Sequence, residues 1–251
     1  EGAAVPAGTL LHLSGSQSSS PFGKIATYAW TVEAPAGASP VLSWAASSAM
    51  PTAFVTVPRT WTFRLHVTDE AGNPTCQEAA VQVDVTPAGS AFLVLTWRPV
   101  TPSAPKPPVY GPDLDLHWRH PDATKWYDGG KDCFWYNPTP AWGDGDPTVG
   151  GTALLLDSSD GGTPEVIAQG AACPAGTVFR FGVHHFDANG YGPALARLQA
   201  YVAGALVWDR EVALNDLDLW DAGTFECGTG TFSEKTGPSI TPSFQDPNFV
   251  P

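Results

Sequence analysis

Short runs rich in Val, Thr, Phe, Tyr and Trp recur along the chain between clusters of Gly, Pro, Ser and Asp. The runs are TLLHLS, IATYAWTVE, TAFVTV, WTFRLHVTD, AAVQVDV, AFLVLTW, DLDLHW, GTALLLD, TVFRFGVHHF, ARLQAYV and ALVWDREVAL. Their length, their β-branched and aromatic content and their two-residue alternation predict strands. No window of a dozen residues carries a 3.6-residue apolar period, so the expected class is all-β, with helix nearly absent and antiparallel sheets packed as sandwiches.

One run carries an internal conflict. In GPDLDLHWRHP, residues 111–121, successive side chains of a strand point to opposite faces. Leu114, Leu116 and Trp118 therefore share one face, and Asp113, Asp115 and His117 share the other. Two like charges stand side by side, and a cation, a proton or water has to neutralise them.

Composition narrows the classes. The 251 residues are 43% hydrophobic, enough for one large or two medium cores, and no run of ~18 apolar residues is present to span a bilayer. Twelve Lys and Arg against 25 Asp and Glu give a net charge of −13, which offers no basic surface to phosphate and argues against nucleic acid. Spare carboxylates suit a hard cation such as calcium. The chain begins at Glu1 without an initiator Met or signal-peptide pattern, which reads as a processed chain or a fragment.

Four cysteines, Cys76, Cys133, Cys173 and Cys227, are too far apart for a C-x-x-C motif, and their even number predicts two disulfides in an oxidising, secreted or cell-surface setting. Three pairings are possible, and Cys76 with Cys133 plus Cys173 with Cys227 is the expected one. The Asn-x-Thr triplets at Asn73 and Asn137 carry proline in the middle and are not glycosylation acceptors.

A boundary is expected at TPAGS, residues 86–90, giving domains at 1–87 and 91–228 and a Pro- and Ser-rich tail at 229–251. The first domain resembles the PKD (polycystic-kidney-disease-type) family through LHLSGSQSSSPFGKIATYAWTVE followed by FVTVPRTWTFRLHVTDEAGN. The resemblance implies an immunoglobulin-like sandwich with Trp30 in its core and a Val-Thr-Asp-x-x-Gly turn at residues 67–72. It also implies a first strand lying ahead of Glu1, and hence an apolar slot open to a donated strand. The second domain, with DLDLHWRHP, LLLDSSDGGTPEVI and FRFGVHHFDANGYGP, is similar to a D-x-D-L β-sandwich module found after PKD-type repeats in secreted proteins of predatory and gliding bacteria. A larger, jelly-roll-like sandwich is the expectation there.

The best constellation for chemistry joins Asp113 and Asp115 to Asp157, Asp160 and Glu165 of LDSSDGGTPE, an oxygen-rich set of the kind calcium takes. A D-x-D strand answered by an acidic Gly-rich loop is also similar to the calcium site of tellurite-resistance-type β-sandwich domains. The plain alternative is a hairpin turn beside a solvated acidic face. DGDPTVGG, residues 144–151, reads as a loop tip, and DLDLWD, residues 216–221, as a surface strand face. His117, His120, His184 and His185 make a poor zinc set, since neighbouring strand residues face opposite ways and no H-E-x-x-H is present. No nucleophile elbow or phosphate loop occurs either.

The segment WYDGGKDCFWYNPTPAW, residues 126–142, is dense in aromatics. Trp126, Trp135, Tyr136 and Trp142 are candidate sugar platforms, against the expectation that such a loop is pinned by its own aromatic core with Cys133 tethering it. In the tail, Ile240, Phe244, Phe249 and Val250 are candidate anchors for head-to-tail assembly with another copy. The leading expectation is a non-catalytic, calcium-stabilised extracellular structural or adhesive module, with a self-assembling fibre as its extension. A carbohydrate-binding or accessory module of a secreted hydrolase is the alternative, and a metal-dependent hydrolase a distant third.

Overall fold

The computed structural model describes residues 2–35, 38, 41–42, 47–74, 78–86, 91–102, 111–141, 151–170 and 173–249. The chain divides into two compact units, Glu1–Ala88 and Gly89–Pro251, and the described residues contain strands and turns but no helix. Both units are β-sandwiches. Cys76, Trp142, Val250 and residues 144–150 lie outside the described residues.

The first unit contains β1 (Ala4–Pro6), β2 (Thr9–His12), β3 (Ile25–Glu33), β4 (Val41–Leu42), β5 (Thr52–Val55), β6 (Thr60–Asp69) and β7 (Ala79–Thr86). They form one sheet in the order β1-β7-β6-β3 and another in the order β2-β5-β4. Alternation along β6 buries Trp61, Phe63 and Leu65, which share the core with Trp30, Leu11, Val55 and Val83. The indole of Trp30 donates to the Ser48 carbonyl at 3.0 Å, so the core Trp carries its polar atom to a partner.

The edge expected to lie open is partly closed: β1 pairs in parallel with residues 84–86 of β7. Beside Gly2 and Ala3 a cleft of about 340 Å³ remains, lined in part by Leu11, Leu13, Trp30 and Val83. The Val-Thr-Asp-x-x-Gly turn is organised by Asp69. Its carboxylate accepts from the backbone amides of Ala71 (3.0 Å) and Asn73 (2.8 Å) and from the Ser20 hydroxyl (2.8 Å), and Gly72 supplies the positive φ of 83°.

The second unit contains β8 (Ala91–Pro99), β9 (Asp113–Arg119), β10 (Asp132–Cys133), β11 (Thr152–Leu156), β12 (Glu165–Gln169), β13 (Val178–Asp187), β14 (Ala194–Val202), β15 (Ala205–Leu214), β16 (Leu219–Glu226), β17 (Thr231–Glu234) and β18 (Ile240–Thr241). One sheet runs β11-β12-β8-β14-β15, and the other β10-β9-β13-β16-β17 with β18 also on β16. Between them lies a core of Leu93, Leu95, Leu116, Trp118, Phe181 and Leu198 with others of the same kind. The disulfide Cys173–Cys227 joins the entry to β13 to the end of β16.

Two expectations need correction here. The DLDLWD stretch is not a surface face: β16 runs between β13 and β17, Leu219 and Trp220 are buried, and Asp221 is held by Arg180 and Lys235. Cys133 is a free, buried thiol, because the loop carrying it forms β10 opposite Trp118 and turns its side chain into the core. Its Sγ donates to the Pro138 carbonyl at 3.5 Å, and burial pushes its pKa up. The tail lies on its own unit: β18 pairs with β16, and Phe244 and Phe249 pack on the aromatic cluster there.

Candidate functional site

Strand β9 sends its two faces to different surroundings. Leu114, Leu116 and Trp118 are fully buried between the sheets, as the alternation requires. The Asp113, Asp115 and His117 face looks away from that core, yet it is not simply solvated, because residues 121–137 fold over it as an aromatic cap. Gly182, beside His117 on β13, makes room: a Cβ there would stand 3.0 Å from the ring of Trp126.

The guanidinium groups of Arg119 and Arg180, cross-strand neighbours on β9 and β13, lie 5.1 Å and 5.7 Å from the ring centre of Trp126, which is only 7% exposed. It is a structural pillar rather than a sugar platform. Tyr127 and Phe134 are buried beside it, while Trp135 and Tyr136 remain 39% and 62% exposed.

Under the cap run two buried polar chains. The Tyr127 hydroxyl donates to Asp115 at 2.9 Å and also lies 2.6 Å from His184 Nδ1. A hydroxyl has one proton, so with the Tyr127 proton on Asp115 the donor of the second bond is His184 Nδ1–H. Burial first, then the neighbouring His117, lowers the His184 pKa to about 3, which keeps the ring neutral in this role. Beside it, His117 Nδ1 pairs with Asp132 at 2.9 Å, and the same carboxylate takes the Tyr127 amide at 2.8 Å. His184 faces Tyr127 whereas its neighbour His185 faces the Leu214 carbonyl, so the adjacent histidines do diverge.

At the open end of this face Asp113, Asp115, Trp135, Asp157, Ser159 and Phe186 line a cavity of about 220 Å³. Burial, then the charges of Asp157, Asp187 and Asp160, raises the Asp113 pKa to about 7. Asp115, 4% exposed, is raised well above the carboxylate range by burial and by Asp113. Glu165 is raised likewise, by burial, Asp115 and Asp157. It reaches across from β12 to accept the Leu116 amide at 2.6 Å on the edge of β9 that β10 leaves unpaired. Asp160 turns back to its own loop, accepting from Gly162 at 2.9 Å.

The expected metal set is thus brought to one neighbourhood, with Asp113, Asp115 and Asp157 around the cavity and Glu165 and Asp160 beside it. Among the described residues, however, no three His, Cys, Asp or Glu side chains are arranged to hold a metal ion as they stand. Asp187, which pairs with Asp113 across β9 and β13, and the cavity walls Trp135 and Phe186 belong to the site without having been singled out for it. The antiparallel pairing of FGVHHFD with DLDLHW was the signal that held them.

Residues 3–85 match the family model described as K319L-like, PKD domain. No curated protein matches. Among solved structures, the FN1–FN3 domains of chicken CNTN1 are 9% identical with a TM-score of 0.24, the match covering 87% of this chain and 66% of that one. The first unit is therefore similar to a PKD-type domain, and the family match stops before the second unit, where the cavity lies.

Proposed function

We propose that the chain is a non-catalytic extracellular module of structural or adhesive character, whose second sandwich is stabilised by calcium at Asp113, Asp115 and Asp157 with Glu165 behind them. The PKD-type first unit and the Cys173–Cys227 disulfide support the extracellular setting. No described helix is long and apolar enough to cross a membrane. The observation that carries the cation is that the strongest charges felt by Asp113, Asp115 and Glu165 are other carboxylates, with no Lys or Arg among them.

Such a cluster must be met by protons or by a cation, and an all-oxygen set suits calcium in kind. In placement it needs Asp113 and Asp157, the more solvent-accessible members, to turn inward. Thermal melts of the full chain in calcium and in chelator test this. Saturation at a hundredfold excess over Kd adds about 2.7 kcal/mol, so wild type should melt several degrees higher in calcium and Asp115→Asn should not. Identical wild-type melts would leave the cluster as a partly buried acidic group held by protons.

A second reading rests on the exposed rim. Trp135 lines the cavity with carboxylates and Ser159, and Tyr136 stands 5.7 Å from it and nearly perpendicular, an exposed aromatic pair of the kind that suits a pyranose ring. Glycan-array binding that Trp135→Ala abolishes would favour it over a purely structural role.

A further inference from the structure

The stretch FQDPNF, residues 244–249, is seated on the second unit by two aromatic side chains and one carboxylate. Phe244 and Phe249 lie nearly parallel to the ring of Tyr127, at 6.1 and 5.2 Å. Phe249 also meets Phe134 edge-on at 5.3 Å and Tyr136 at 5.1 Å. Between the two rings Asp246 is buried and accepts from Lys125 Nζ at 2.6 Å, while the Asn248 and Phe249 amides close a turn on it at 3.0 Å each. Apolar anchors set five residues apart with a charge between them, facing two rings and one ammonium group, form a recognition pair in which motif and receptor are each specific.

The connection to this arm is slight. β17 pairs with residues 223–226 of β16, and β18 continues in the same direction along residues 219–220 of the same strand. The last ladder contact before the gap is Lys235 N to the Ala222 carbonyl, and the first after it is Asp221 N to the Ser239 carbonyl. Between them Thr236, Gly237 and Pro238 loop out into solvent, with Gly237 at a φ of 84°. Beyond this bulge the arm touches a satellite cluster of Trp126, Tyr127, Phe134 and Leu219, separate from the main core between the sheets. Undocking it exposes that satellite and leaves the sandwich closed.

We propose that residues 239–249 are an exchangeable arm that joins two copies of this chain, each arm seated on the Lys125, Tyr127 and Phe134 of the other copy. The contacts made in exchange are the ones made within a single chain, so exchange changes only the path of the bulge, and this is what makes swapping a low-cost route to association. Because every copy carries both arm and receptor, reciprocal exchange closes on a two-fold axis and gives a dimer, where one-way donation would give a filament. This gives the structural module a partner, a second copy of itself, and does not depend on the calcium reading.

Charge reversal separates exchange within one chain from exchange between two. In Lys125→Glu the receptor repels its own arm, and in Asp246→Lys the arm repels its own receptor. Mixed, each arm finds an opposite charge only on the other copy. Light scattering after gel filtration should give the 26.4 kDa chain mass for each variant alone and twice that for the equimolar mixture. The chain carrying both reversals should behave as wild type. Far-UV circular dichroism of each variant confirms that it is folded. Should the charge variants fail that check, two differently tagged wild-type chains, mixed at high concentration, replace them; these should co-purify, and their Phe249→Ala versions should not. A mixture that stays at the single-chain mass, or association that persists with Phe249→Ala in both copies, overturns the proposal.

Discussion

Asp69 in the first unit and Asp115 in the second are both nearly buried carboxylates on strands, and their surroundings push them in opposite directions. Asp69 accepts backbone amides of Asn73 and Ala71, the Asn73 side chain and the Ser20 hydroxyl, and these hold its pKa below the usual range against the opposing effect of burial. Asp115 has Tyr127 and Trp135 for donors but two carboxylates for neighbours, and burial together with Asp113 drives it up. The lesson is that a buried acid marks a candidate site only when its own chain fails to satisfy it. Asp221, on the neighbouring strand β16, has its charge paired within the chain by Arg180 and Lys235, both through Oδ2, while its buried Oδ1 has no hydrogen-bond partner among the described residues.

The largest effect expected from this contrast is on pH dependence without divalent cations. Asp113 ionises near 3.8 in the unfolded chain and near 7 when folded, so between these values the folded state holds more protons and stability falls as pH rises. At ~1.4 kcal/mol per unit of pKa difference, the loss in the second unit between pH 5 and 8 is on the order of 1–4 kcal/mol. Asp69 has the opposite sign: its lowered pKa stabilises the first unit above the unfolded value near 3.8, and that contribution is lost as pH falls through the folded value. Hydrogen exchange of β9 and β13 amides should quicken from pH 5 to 8, after correction for intrinsic rates, while β6 amides hold steady. Calcium should flatten the change in β9 and β13.

Substitution gives a smaller effect of mixed sign. In chelator at pH 8, Asp115→Asn removes a carboxyl whose ionisation burial and Asp113 oppose and keeps an acceptor for Tyr127, so it should stabilise the second unit by about 1–2 kcal/mol. Asp69→Ala strips acceptors from the turn amides and should destabilise the first unit. Urea denaturation of the two variants checks both, and equal shifts of the same sign would erase the distinction. The smallest effect concerns the cap. With Cys133 buried and its pKa raised, maleimide should label it slowly under native conditions and fully in denaturant. Fast native labelling would mean that β10 and the cap are not seated as described.

Much of the sandwich architecture was legible in the two-residue alternation, because a strand with one core face leaves that pattern whatever its partners are. Leu114, Leu116 and Trp118 fall on the core side for that reason. Short strands such as β1, β4 and β10 leave too few residues to show a period, and β10 is what turned Cys133 inward. DLDLWD reads as a surface strand face because the ion-pair partners of Asp221, Arg180 and Lys235, are distant in sequence. The acidic side of the site was readable from Asp113, Asp115, Asp157 and Glu165. Its remaining parts were not: the link from Tyr127 to His184 and the pairing of Asp187 with Asp113 arise only from the β9–β13 register and the fold of the cap. Trp126 shows the limit of composition, since two arginines bury an aromatic that looked available.

Native mass spectrometry of the full chain, desalted and then supplied with stoichiometric calcium, tests the cation claim most directly. The account predicts one retained calcium ion on the wild type, removed by chelator and absent from Asp115→Asn. A wild-type spectrum showing only the bare chain mass, or a calcium adduct equally present on Asp115→Asn, would contradict it.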